Sequence, residues 1–198
     1  MAETLIPTPS QTVGPFFHLG MDRPEWNDLT AGNPKGERIL IEGRVTDGDG
    51  KPVPDAVVEV WQANAAGRYA HPEDQQSDKP LDANFRGFGR CATDDEGRLH
   101  FTTVKPGPVP SRGNRLQAPH INVLLFARGL LIHLHTRIYF EGEAANAADP
   151  LLSSIDDEAV RNTLVARRAE GSGGSASPAH YRWDIVMQGD NETAFLDL

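Results

Sequence analysis

Residues 38–61 read Arg-Ile-Leu-Ile-Glu-Gly-Arg-Val-Thr-Asp-Gly-Asp-Gly-Lys-Pro-Val-Pro-Asp-Ala-Val-Val-Glu-Val-Trp, and this stretch decides the fold class. Two short apolar runs, 38–45 and 56–61, flank Asp47-Gly48-Asp49-Gly50 and Pro52-Val53-Pro54. Gly and Pro break a helix there and Asp before Gly favours a tight reversal, so the segment reads strand, turn, strand. Asp47-x-Asp49 could also open a calcium loop, but the fifth place is Lys51 and the twelfth, Val58, is no glutamate. A plain turn is the expectation.

The same grammar recurs along the chain. Residues 94–97, Asp-Asp-Glu-Gly, precede an alternating run over 98–104 that Lys105-Pro106-Gly107-Pro108 stops. Runs at 121–127, 134–140 and 181–187 complete a set of about seven strands of sandwich type. One helix is expected after Ser154: Asp157 stands three places on as a capping box, Val160, Leu164 and Val165 form an apolar face, and Arg167-Arg168 close it. Residues 171–175, Gly-Ser-Gly-Gly-Ser, read as a flexible loop. Residues 1–37, rich in Pro, Gly and polar groups, read as an arm laid over another surface. The expected architecture is thus a single all-β domain over 38–198, an antiparallel β-sandwich with short helical insertions and an extended N-terminal arm.

Composition narrows the function. At 198 residues and 38% hydrophobic content the chain supports one core. A net charge of −9 repels polyanions, which argues against nucleic acid. The single cysteine, Cys91, excludes an intramolecular disulfide. No apolar run is long enough for a bilayer, and residues 1–9 lack a basic segment followed by an apolar one, so a cytoplasmic protein with no membrane partner is expected. Neither a Gly-x-Ser-x-Gly elbow nor a Gly-rich phosphate loop occurs. His133 and His135, two apart on an expected strand, project to one face and could bind a metal together. With no carboxylate or Cys at ligand spacing, a surface pair is the expectation.

Four segments are more informative. They are residues 8–17 (Thr-Pro-Ser-Gln-Thr-Val-Gly-Pro-Phe-Phe), 58–69 (Val-Glu-Val-Trp-Gln-Ala-Asn-Ala-Ala-Gly-Arg-Tyr), 104–109 (Val-Lys-Pro-Gly-Pro-Val) and the stretch from Pro119-His120-Ile121-Asn122 to Tyr139-Phe140. In this order they resemble the intradiol ring-cleaving dioxygenases, and residues 181–198 resemble the family's last strands. The resemblance implies a ferric site of two tyrosinates and two histidines, in which phenolates stabilise Fe(III) and neutral imidazoles leave room for a catecholate. It assigns the first tyrosine to Tyr69 and the first histidine to His120. The second tyrosine's place holds Val109, the second histidine's Asn122, and the catalytic arginine's Gln117.

The only other tyrosines are Tyr139 and Tyr181, neither of them near Val109 in sequence. Tyr69 and His120 therefore read as vestigial ligand positions, and this chain as holding no metal and no catalytic residue. Such departures resemble the family's non-iron α chains, which work with a homologous iron-bearing β chain. The resemblance then implies an assembly that cleaves 3,4-dihydroxybenzoate (protocatechuate) with O2, its Fe(III) held by the β partner. It also implies that Thr12, Gly14 and Pro15 line the partner's substrate pocket and that Arg128 faces the substrate carboxylate. On a chain of charge −9 only a local cation can attract that carboxylate. Arg137 is a reserve candidate, but within a strand it is expected to pair with an acidic neighbour. Two alternatives stay open: a self-sufficient dioxygenase recruiting His133 or His135, and a transthyretin-like binding module without chemistry. Iron content tests the first; the arm, which a plain sandwich would not need, argues against the second.

Overall fold

The computed structural model describes residues 8–173 and 178–197; the first seven residues of the arm and part of the 171–175 loop lie outside the described residues. Its strands are β1 (Arg38–Thr46), β2 (Val57–Gln62), β3 (Phe88–Ala92), β4 (Arg98–Val104), β5 (Val109–Pro110), β6 (Leu116–Gln117), β7 (His120–Phe126), β8 (Leu134–Phe140), β9 (Val165–Arg168), β10 (Ala179–Arg182) and β11 (Ile185–Val186). Two short helices, α1 (Phe16–Met21) and α2 (Glu158–Asn162), and three 3-10 turns complete it. The fold is the expected all-β sandwich. In β1 the alternation that marked it in sequence buries Ile39 and Ile41 on one face. They share a core with Phe101 of β4, Val58 and Val60 of β2, and Val123 and Leu125 of β7.

Antiparallel ladders join β4 to β1, β3 to β2, β2 to β7, β7 to β8 and β9 to β10. Parallel pairings of β1 with β10, β1 with β11, and β8 with β9 link the layers, so the sheet is mixed. The run expected over 181–187 divides into β10 and β11 because the Arg44 N–H donates at 2.9 Å to the Asp184 carboxylate, leaving the Trp183 carbonyl without its ladder bond; the other side of Trp183 stays in the ladder. Its N–H donates to the Glu42 carbonyl at 2.9 Å, and its own carbonyl would lie 1.9 Å from a Cβ at Gly43. Only glycine fits at that crossing.

The expected helix after Ser154 is corrected. Asp157 is the N-cap, its carboxylate accepting from the N–H of Ala159 at 2.8 Å, and α2 ends at Asn162. Tyr139 donates its N–H to the Leu164 carbonyl and Trp183 donates Nε1–H to that of Thr163. These bonds draw Val165, Arg167 and Arg168 into β9, where sheet pairing outweighs a weak helical preference. Asp47 shapes a turn, its carboxylate accepting from the N–H groups of Asp49 and Lys51.

The arm's later residues dock on the sandwich. Leu29 donates its N–H to the Thr102 carbonyl and joins the core. Arg90 pairs with Glu59, lies 4.7 Å from the centre of the Trp26 ring, and reaches the Met21 carbonyl at 3.4 Å. A single guanidinium thus latches two arm segments to the β2–β3 surface.

Candidate functional site

Tyr69 is carried by a loop that leaves β2 and is closed on itself. The Asn64 carboxamide oxygen accepts from the N–H groups of Ala66 and Arg68, and the Asp74 carboxylate accepts from that of Tyr69 at 2.7 Å. Gly67 (φ +83°) lets this loop pass the Pro108 carbonyl, which would lie 2.0 Å from a Cβ. Trp61 at the end of β2 stacks on Tyr69, with ring centres 5.7 Å apart. From the other side comes the small hairpin of β5 and β6, pairing Val109 with Gln117.

These elements, with β7 and β8, line an open cavity of about 580 Å³ whose walls include Trp61, Tyr69, Val109, Gln117, His120 and Arg137, with Glu73 and Asp74 among its lining. The structure thus gathers the positions the resemblance assigned. Asn122, opposite Arg137 in the β7–β8 register, donates to the Tyr69 hydroxyl at 3.2 Å. Arg137 donates Nε–H to the Asn122 oxygen at 2.9 Å and Nη1–H to the Gln117 oxygen at 2.6 Å. Its expected acidic partner is not there: among the described residues Arg137 forms no salt bridge, and its guanidinium is held by the neutral amides of Asn122 and Gln117 and by the Tyr139 hydroxyl. The cation missing at Gln117 is supplied from β8. Register carried the signal for it, since antiparallel pairing of the 121–127 and 134–140 runs sets Arg137 across from Asn122.

Burial is the largest influence on the Tyr69 phenol and raises it above the ordinary tyrosine value, against the Asn122 bond and the charge of Arg137. Burial, then Arg137, pushes the His120 imidazole down to about 4. With Nδ1 2.8 Å from the Ala118 carbonyl, the neutral ring keeps its proton on Nδ1 and leaves Nε2 an acceptor. Behind the ring stands Asp149, which is fully buried. It accepts from the N–H groups of Ala118, Leu151 and Leu152 and from the Tyr139 hydroxyl. Sequence reasoning passed over Asp149, because nothing near it marks a motif.

This donor set does not fit ferric iron. Val109 offers no donor atom, Asn122 spends its amide on Tyr69 and Arg137, and the phenol is kept protonated. A guanidinium cross-braces the wall where a second cation would have to sit.

Thr12, Gly14, Pro15 and Arg128 lie on a different face. The Thr12 hydroxyl accepts from the N–H of Gly129 at 2.8 Å, placing the arm next to Arg128, and Phe17 packs on Phe126 with ring centres 5.6 Å apart. Gly14 offers its carbonyl to the N–H of Phe17 as α1 begins just after Pro15. A Cβ at Gly14 would meet nothing within 4 Å. Arg128 is 71% exposed and its Nε lies 3.1 Å from the Asp55 carboxylate. His133 is exposed and His135 half-buried beside this face, with Nε2 atoms 2.8 Å apart. Among the described residues no cluster of three or more His, Cys, Asp or Glu could hold a metal, and no helix is long and apolar enough to cross a membrane.

The sequence profile of the Dioxygenase family matches residues 14–189. The dioxygenase domain of a carbohydrate-binding fusion protein from Streptomyces sp. SirexAA-E superposes with a TM-score of 0.61 at 26% identity, covering 93% of this chain and 99% of that one. The chain belongs to the intradiol dioxygenase family. Within it, the chain is similar to the protocatechuate 3,4-dioxygenase alpha chain of Pseudomonas putida, 45% identical over 98% of both chains. It is also similar to the beta chain of that enzyme from Burkholderia cepacia, 44% identical over 84% of this chain and 71% of the relative.

Proposed function

We propose that the chain is the non-iron α subunit of a protocatechuate 3,4-dioxygenase. The assembly opens 3,4-dihydroxybenzoate between its two hydroxylated carbons, giving 3-carboxy-cis,cis-muconate in the β-ketoadipate route of aromatic catabolism. Both atoms of O2 enter the product, so the reaction needs no external reductant. The observation that carries this reading is the cavity, where Val109 and Gln117 on the wall and Asn122 bonded behind Tyr69 stand at the positions the resemblance assigns to two ligands and the arginine, and Arg137 braces two of them. Fe(III) then belongs to a homologous β partner, a reading supported by likeness to both α and β chains.

The chain's contribution is to complete the partner's pocket through Thr12, Gly14, Pro15 and Arg128. The Thr12–Gly129 bond supports grouping the arm with Arg128, and the open space around Gly14 is suited to a ligand supplied from outside the chain. Arg128 is tied only at the surface to Asp55, so its charge can be shared with an incoming carboxylate. The test is co-expression with a β-type chain. One iron per pair, red-brown colour and protocatechuate cleavage are expected only when both chains are present. An isolated chain carrying an equivalent of tightly held iron and that colour would overturn the assignment.

A further inference from the structure

The geometry points to a second ligand site, in this chain's own cavity, for a small hydroxylated aromatic monocarboxylate held by Arg137, Tyr69 and His120 against the Trp61 ring. It requires no iron, and stands or falls apart from the subunit assignment. Arg137 is fixed in direction by Asn122 and Gln117, yet neither acceptor carries charge. A cation held on a cavity wall by neutral amides can still gain a charge-assisted contact with a carboxylate.

The neighbouring groups complete a recognition pattern. Tyr69 accepts from Asn122, and its own hydroxyl proton has no acceptor among the described residues, so it can donate to a bound oxygen. His120 supplies the opposite function: Nδ1 is engaged with Ala118, and Nε2 is left to accept from a ligand hydroxyl. The stacked Trp61 and Tyr69 rings form a flat apolar wall, and about 580 Å³ is ample for a substituted benzoate. Charge sets an upper bound on the ligand. Glu73 and Asp74 are among the lining residues, so a polyanion is opposed while a single carboxylate touching Arg137 is favoured at close range. Asp74 is itself engaged by the N–H groups of Tyr69 and Gln76 and does not compete for Arg137 through any hydrogen bond.

The probe is 4-hydroxybenzoate, which has one hydroxyl and is no catechol, titrated calorimetrically into the full chain assembled with a β-type chain. Gln117→Glu places a carboxylate on Arg137 within the protein at nearly unchanged shape, and Arg137→Met removes the charge at similar length. Expected is one site per copy of this chain, weakened roughly tenfold to a hundredfold in either variant. Tyr69→Phe, which keeps the stack, should weaken it by roughly threefold to tenfold. Near-UV circular dichroism checks that Gln117→Glu keeps its fold. Binding to both charge variants as tight as to the parent, or no site beyond that of the iron chain, overturns the proposal. Acetate binding as tightly as 4-hydroxybenzoate overturns the aromatic assignment. Protocatechuate turnover, read on the same assembly, reports on the subunit assignment alone.

Discussion

The cavity and the arm face are built by opposite rules. In the cavity the wall is braced from within the chain, Asn122 by Tyr69 and Arg137, Gln117 by Arg137, the His120 Nδ1 by Ala118 and Asp149 by four donors, with the Tyr69 hydroxyl proton and the His120 Nε2 left open. On the arm face Thr12 has one bond, Arg128 one exposed ion pair, and Gly14 open space. Alongside stand Phe16, Leu131 and Ile132, all exposed. Where the resemblance expected iron ligands there is a cross-braced wall, while the residues proposed to line the partner's pocket lie where the chain makes little use of them itself. A side chain that its own fold does not need is the better candidate for work done with another molecule.

That contrast can be broken by substitution. Asp149→Ala, deep behind the cavity, should cost about 4 kcal/mol by leaving several buried donors unanswered. A melting temperature close to the parent's would show that the cavity is not braced from behind.

The His120 imidazole sharpens the same side of the comparison through pH. Its folded pKa of about 4 lies below the ordinary 6.5. Above 6.5 both states are neutral and its contribution to stability is complete. As pH falls from 6.5 to about 4 only the unfolded state takes up the proton, and roughly 3 kcal/mol is lost at most. Unfolding scans of the parent and His120→Gln across that window should converge at acid pH; parallel curves would mean that the ring is not held neutral.

On the arm face the expected effects are on activity. Gly14→Val should leave the melting temperature unchanged, since a Cβ there meets nothing within 4 Å, yet lower kcat/KM of the assembly by up to about a hundredfold. Unchanged kcat/KM would make the arm a structural strap. The smallest effect is expected for Arg128→Ala: stability within about 0.5 kcal/mol, as for an exposed pair, and KM for protocatechuate raised roughly tenfold. Catechol, without a carboxylate, should be much less affected, and equal losses for both would place Arg128 outside carboxylate recognition.

How much of this was legible depended on whether the signal was local. The strands β1, β2, β4 and β8 announce themselves because alternation and flanking turns lie within a few residues of each other. β3 escaped because Gly89 and Arg90 interrupt its apolar pattern, although β2 pairs with it residue by residue. β9 read as helix because Val160, Leu164 and Val165 share helical spacing, and the bonds that overrule it come from Tyr139 and Trp183. The cavity was legible position by position through family resemblance. Arg137 was legible only as a reserve candidate with an acidic partner, and Asp149 not at all, for their roles lie in cross-strand register and in burial.

The parallel pairing of β1 with β10 sets the order in which the protein can be made. Ile39 finds Ala179 and Val45 finds Ile185 only after a further 140 residues have been synthesised. Until then one edge of β1 has no neighbour, and an unpaired apolar strand is a template for intermolecular addition. The nascent chain therefore carries this open edge until late, and a chain stopped before Ala179 is expected to aggregate and not merely to be shorter.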